Sequence, residues 1–107
     1  MTLRGSFSAQ GEPDAPVVFE GYSTGWLGCN VHEGSSVTID HAVFDEVGDG
    51  EVVPPTAALK LYAPASVTNT TIQNSDVWGL LHTEEDTTDY SVSNTFINNT
   101  QGDIGTF

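Results

Sequence analysis

Short stretches in which apolar and polar positions alternate recur along the chain, and one of them nearly repeats itself. Ser66-Val67-Thr68-Asn69-Thr70-Thr71-Ile72-Gln73-Asn74-Ser75 returns twenty-five residues later as Ser91-Val92-Ser93-Asn94-Thr95-Phe96-Ile97-Asn98-Asn99-Thr100. A weaker copy lies upstream at Ser36-Val37-Thr38-Ile39-Asp40-His41-Ala42-Val43-Phe44-Asp45-Glu46. Each copy is rich in β-branched residues and bounded by Ser, Asn, Thr and Gly, which is the pattern of short strands closed by turns. Self-similarity at this period predicts a chain wound into stacked turns.

A second family of apolar segments alternates with the first: Trp26-Leu27-Gly28-Cys29-Asn30-Val31, Ala57-Ala58-Leu59-Lys60-Leu61-Tyr62, Trp78-Gly79-Leu80-Leu81-His82 and Asp103-Ile104-Gly105. Aligned on Gly28, Ala58, Gly79 and Asp103, the next residues are Cys29, Leu59, Leu80 and Ile104, all apolar, so this column is predicted to face inward. Val31, Leu61 and His82 fall on the same face, and Asn30, Lys60, Leu81 and Gly105 alternate to the outside. The separations along the column are thirty, twenty-one and twenty-four residues, and the longest is explained by a Gly/Pro-rich protruding loop over residues 47–56. No segment carries the period or the caps of a long helix. The predicted fold is all-β: a single-stranded parallel β-helix (β-solenoid) of about three to four turns over residues 1–107, with residues 1–21 as an N-terminal cap or opening turn. The general rule for parallel crossovers makes the coil right-handed.

Trp26-x-Gly28, Val37-Thr38-Ile39-Asp40-His41-Ala42-Val43-Phe44, Ala57-Ala58-Leu59-Lys60-Leu61, Asn69-Thr70-Thr71-Ile72-Gln73-Asn74 and Trp78-Gly79-Leu80 together resemble the right-handed parallel β-helix repeat proteins of the pectate-lyase-like superfamily. Gly5 to Gly11 followed by Ala15-Pro16-Val17-Val18-Phe19 is similar to the opening turn of the secreted and surface members. The resemblance spans nearly the whole chain and is one of scaffold. It implies an extracellular or cell-surface setting, with any secretion signal outside this chain, and leaves activity to be argued from the site.

Composition narrows the partners. Fifteen acidic residues face only Arg4 and Lys60, for a formal charge of −13. Phosphate backbones are held by clustered Lys and Arg, so this balance argues against nucleic acid, and no apolar run is long enough for membrane insertion. An acidic excess with so little lysine suits a high-salt medium. Cys29 is single, which excludes an internal disulfide, and its inward place marks a buried thiol.

The residues offer little catalysis. Lys60 is the only lysine, and its outward position reads as an exposed, solubilising side chain. Asp40 and Asp45 have Thr68 and Gln73, then Ser93 and Asn98, as counterparts on later turns, so a stacked pair of carboxylates is missing from this column. His32, His41 and His82 fall in different columns and do not form a zinc set. The sequence therefore assigns no catalytic residue. Asp45, Glu46, Asp49 and Glu51, on a Gly-bearing loop, are the candidate calcium ligands, because calcium takes clustered carboxylate oxygens. Glu84-Glu85-Asp86-Thr87-Thr88-Asp89 forms a second acidic segment. Neither has the alternating spacing of a dedicated calcium loop, and solvated acidic loops are the competing reading.

Asn69, Asn74, Asn94 and Asn99 are predicted to form ladders at the bends, bonding to one another and to backbone groups. Asn69-Thr70-Thr71 and Asn98-Asn99-Thr100 also match the N-glycosylation sequon. The gapless repeat places Ile97 inward, while the habit of the resembled family places Phe96 there. Tyr22, Trp26, Tyr62, Trp78 and Tyr90 are the aromatics able to stack on sugar rings. The sequence thus supports a non-catalytic structural or binding module, self-associating through its open ends as a homo-oligomer, by end stacking or edge pairing, and contacting carbohydrate. The alternative is a portion of a carbohydrate-active enzyme, lyase or hydrolase, whose catalytic residues lie elsewhere.

Overall fold

Among the described residues every strand pairs in parallel, and its partner is the equivalent strand one turn away. The computed structural model describes residues 2–20, 28–47 and 56–107. The first turn holds β1 (Thr2–Leu3), β2 (Ser6–Gln10) and β3 (Val17–Glu20), and the second holds β4 (Cys29–Val31), β5 (Ser36–Asp40) and β6 (Ala42–Asp45). The third repeats the triplet as β7 (Ala57–Leu61), β8 (Ser66–Thr68) and β9 (Thr71–Gln73). A fourth passage keeps β10 (Trp78–His82) and β11 (Thr95–Ile97) but has no strand between them, and β12 (Gly102–Thr106) follows. The result is a β-solenoid of about three full turns with three walls. Wall A is β1-β4-β7-β10-β12, wall B is β2-β5-β8, and wall C is β3-β6-β9-β11.

The inward column read from the sequence is the register of wall A: Cys29 pairs with Leu59, Leu59 with Leu80 and Leu80 with Ile104. Wall B contributes Ala9, Ile39 and Val67, and wall C contributes Phe19, Phe44, Ile72 and Phe96. Phe19 and Phe44 stack with ring centroids 4.7 Å apart. Ile39, Phe44, Leu59, Leu61, Ile72 and Leu80 are fully buried, each contributing roughly 1.5–3 kcal/mol of transfer free energy. At the ends of the stack Phe19, Phe96 and Ile104 are only partly buried.

The register settles the last repeat. Phe96 pairs with Ile72, and Ile97 lies opposite Gln73 with 43% of its surface exposed. The gapless alignment is therefore displaced by one residue. The displacement coincides with the loss of the wall B strand in this passage.

The corners are built from left-handed backbone. His41 and Asn69 (φ +51° and +50°) turn the chain from wall B to wall C, and Glu46, Asn74 and Asn98 (+56°, +56° and +53°) end wall C. Asparagine tolerates this region best among residues with a side chain. In the first turn Gly11 stands at the same corner without left-handed backbone, and a Cβ there would collide with the backbone oxygen of His41 and the nitrogen of Val17. Residues 2–20 are thus a turn of the coil in full register with the next, carrying a small antiparallel bridge between Glu12 and Ala15. Within the predicted loop 47–56, residues 48–55 lie outside the described residues, and Val47 is core, fully buried.

Candidate functional site

The outer face of wall A collects most of the unusual chemistry. Thr2, Asn30, Lys60, Leu81 and Gly105 form one outward row. Backbone pairing continues past the strand ends: His32 N–H donates to Leu3 O (2.9 Å), Tyr62 N–H to Val31 O (3.0 Å) and Phe107 N–H to His82 O (3.0 Å). This extension holds Arg4, His32, Tyr62, Thr83 and Phe107 in the next row of the face.

Lys60 corrects the sequence reading. It points outward, as alternation requires, but is 8% exposed. Its ammonium lies 4.7 Å from the centroid of the Phe107 ring and 5.3 Å from that of Tyr62. The two rings meet edge to face at 5.1 Å. Ring faces are the negative ends of aromatic quadrupoles, so the cage compensates part of the lysine's lost hydration. Outward is not the same as exposed on this wall, because the residues just beyond the strands fold over it.

Two grooves flank Tyr62. One, of about 330 Å³, is lined by Thr2, Arg4, Asn30, His32, Glu33 and Tyr62. The other, of about 440 Å³, runs along Tyr62, Pro64, Thr83 and Glu85. In the first, Asn30 Oδ1 is buried and has no hydrogen-bond donor among the described residues. A buried acceptor without a donor is rare in folded proteins and costs about 1–3 kcal/mol. Arg4 is exposed at this groove, and among the described residues no carboxylate stands within ion-pairing distance of it. His32 Nδ1 donates to the backbone oxygen of Glu33 at 3.0 Å.

Of the aromatics singled out from sequence, three lie among the described residues, and of these only Tyr62 presents an open ring, at 44% exposure. Tyr22 and Trp26 lie outside the described residues. Trp78 is half-buried, its ring laid against Gly102 and Gly105 of β12, where a Cβ at either position would strike it. Tyr90 does not belong to the exposed set. It is 2% exposed and plugs the fourth passage, its hydroxyl donating to Asp86 Oδ2 at 2.6 Å and accepting from Ala65 N–H at 3.3 Å. Burial first, then the hydrogen bond to Asp86, pushes its hydroxyl up to about 12. Phe107, which nothing in the sequence pattern marked, is the second ring of the face.

The four asparagines lie at the bends but do not form the expected ladder: the one-residue displacement sets Asn94 beside Thr70 and Asn99 beside Ser75. Asn69 Nδ2 donates to Asp40 Oδ1 and Asn74 Nδ2 to Asp45 Oδ1, both at 2.9 Å. Asn94 and Asn99 instead grip backbone. Asn94 Oδ1 accepts from Thr70 N–H (3.0 Å) and its Nδ2 donates to Val67 O and Tyr90 O (both 2.9 Å). Asn99 repeats the grip one corner on, with Ser75 N–H (3.3 Å) and Ile72 O (3.1 Å). No asparagine of the four bonds to another among these contacts. Asp40 also accepts from Thr68 Oγ1 (2.7 Å) and contacts His41 Nδ1 (2.9 Å). The bonds from Asn69, Thr68 and His41, in that order, hold its carboxyl down at about 2.

Among the described residues no three His, Cys, Asp or Glu side chains converge as metal ligands. Of the candidate calcium set, Asp45 is bonded to Asn74 and Glu46 occupies a left-handed corner, while Asp49 and Glu51 lie outside the described residues. One pairing escaped the sequence reading: Glu20 stands directly across from Asp45 on wall C. The register of the first turn is what sets a carboxylate beside Asp45. Cys29 is buried at 1% exposure, and burial pushes its thiol up to about 11. Neither the known family models, nor the curated proteins, nor the solved structures contain a match to this chain.

Proposed function

We propose that the chain is a non-catalytic structural and binding module of the pectate-lyase-like β-helix type, from a secreted or surface protein, and that it contacts carbohydrate through the outer face of wall A. The observation that carries this reading is Tyr62: an exposed ring between two grooves, braced by Phe107 and Lys60, beside a buried acceptor lacking a donor. Sites for small ligands combine an apolar or aromatic surface with a few fixed polar groups. A sugar ring offers an apolar face to Tyr62 and hydroxyls to the polar side chains that line the two grooves. Binding to a panel of neutral and acidic polysaccharides tests it. Tyr62→Ala is expected to weaken binding about tenfold, equal to about 1.4 kcal/mol, while Tyr62→Phe retains it. Binding indifferent to Tyr62→Ala would refute the assignment of the face.

Self-association through the ends of the coil is the second part of the proposal. Its support is the incomplete burial of Phe19, Phe96 and Ile104, whose equivalents Phe44, Ile72 and Leu80 are sealed. A mass that stays monomeric in sedimentation up to high concentration would remove it.

A further inference from the structure

We infer that Asn98 is an acceptor for an N-linked glycan and that Asn69 is not; the inference rests on the secreted or surface setting and not on the sugar-contacting face. The acceptor sequence, Asn-x-Ser/Thr, occurs at Asn69-Thr70-Thr71 and at Asn98-Asn99-Thr100. The letters do not separate the two sites, but their places in the coil do. Asn69 stands opposite the His41 corner one turn up, and its Nδ2 donates at 2.9 Å to Asp40, the residue before that corner. Asn74 stands opposite the Glu46 corner and donates in the same way to Asp45, at 2.9 Å. Asn98 stands opposite the Asn74 corner, where the residue in the place of the carboxylate is Gln73. With no carboxylate there to hold it, the Asn98 side chain is exposed and makes no hydrogen bond among the described residues.

The neighbours of Asn98 complete the contrast. Asn99 holds Ser75 N–H (3.3 Å) and Ile72 O (3.1 Å) with its carboxamide, and Thr100 N–H donates to Ser75 O (2.9 Å). The segment is thus pinned through its middle residue, which leaves Asn98 and Thr100 exposed on either side. In the other sequence Thr70 is buried and Thr71 half-buried. The group transferred is an oligosaccharide activated at its anomeric carbon as a lipid pyrophosphate. Asn98 Nδ2 forms the bond to that carbon and gives up one proton, while the carbon–oxygen bond to pyrophosphate breaks and the pyrophosphate leaves with the electron pair. At Asn69 the same substitution sets a bulky group on a nitrogen 2.9 Å from a carboxylate that also binds Thr68 and His41. Because β11 is the edge strand of wall C, a glycan on Asn98 stands at an open end of the coil beside the exposed Ile97 and covers that edge. End stacking of the modified chain then falls to the opposite end, which carries Phe19.

The experiment is expression of the full chain behind a cleavable secretion signal in a eukaryotic host, with intact mass and peptide mapping of the secreted, folded protein. The expected result is one glycan, mapped to Asn98. Asn98→Gln and Thr100→Ala each lose the whole glycan mass, Thr100→Ser keeps it, and Asn69→Gln loses none of it. Circular dichroism of every variant separates loss of the glycan from loss of the fold. A secreted chain bare at Asn98 overturns the acceptor site and leaves the surface setting standing. A glycan on Asn69 at equal occupancy overturns the selection by the corner bonds. Retention of the glycosylated chain inside the cell overturns the secreted setting and leaves the acceptor site standing.

Discussion

Replacing Asn94 by alanine tests how the coil closes its shortest wall. Wall B ends at β8, and where a fourth strand would lie the chain runs as an irregular segment from Thr83 to Asn94. The carboxamide of Asn94 substitutes for strand backbone: it satisfies Thr70 N–H and Val67 O as a neighbouring strand would, and ties itself to Tyr90 O. Thr70 is 1% and Val67 5% exposed, so alanine leaves a buried donor and a buried acceptor unpaired. At roughly 1–3 kcal/mol for each orphaned group, the low half of that range for the pair gives a loss of about 2–4 kcal/mol. For a domain of this size that is a fall in Tm of roughly 10–25 °C. Asn94→Asp is expected to fall at least as far, because a carboxylate oxygen then faces the carbonyls of Val67 and Tyr90. Thermal and urea unfolding followed by circular dichroism provide the measurement, with exposed Thr95→Ala, expected within about 0.5 kcal/mol of the parent, as control. A loss below about 0.5 kcal/mol for Asn94→Ala, or an Asn94→Asp variant as stable as the parent, would refute the strand-substitute argument.

Two further outcomes follow from the titrating groups. Asp40 has a folded value near 2, below its ordinary value near 4, so the unfolded chain binds the extra proton between them and stability rises with pH across that window. Acid unfolding should thus show a loss between about pH 4 and 2 that is shallower in Asp40→Asn, and identical slopes would contradict the network around His41, Thr68 and Asn69. Cys29, raised to about 11 by burial, should react with a thiol reagent only as the chain unfolds; rapid stoichiometric labelling of the native protein would exclude its place in the core.

The legible and the illegible parts of this chain differ for a physical reason. Wall A was readable because its inward residues Cys29, Leu59, Leu80 and Ile104 are all apolar and each stands over the last, so periodicity and burial coincide. Phe96 and Ile97 were ambiguous because the repeat is similar in letters but shortened in space. Asn94 and Asn99 align in sequence with Asn69 and Asn74, yet the first pair binds backbone while the second pair bonds to Asp40 and Asp45. Alternation gave the direction of Lys60 but not its burial, which depends on Tyr62 and on Phe107, forty-seven residues away in the chain. Tyr90 carried no periodic signal at all. It is set among Asp, Thr and Ser, a composition that reads as surface, and only its partner Asp86 makes burial of its hydroxyl tolerable.

The departure of the chain from its repeat at Thr83 links stability to the proposed binding face. The segment that leaves wall B must be anchored, and Tyr90 does this from inside the core through Asp86, which also accepts from Thr88 N–H. The same departure carries Thr83, Glu85 and Asp86 outward to line the second groove beside Tyr62. A regular fourth strand would have continued wall B instead. By ending the strand early, the sequence exchanges one rung of backbone pairing for a few side-chain bonds and gains a concave surface next to an exposed ring. Concavity beside an aromatic group suits the small-ligand contact proposed for this face. The irregular passage is therefore the part of the coil where the demands of closing the structure and of shaping a site meet, on the residues between Thr83 and Asn94.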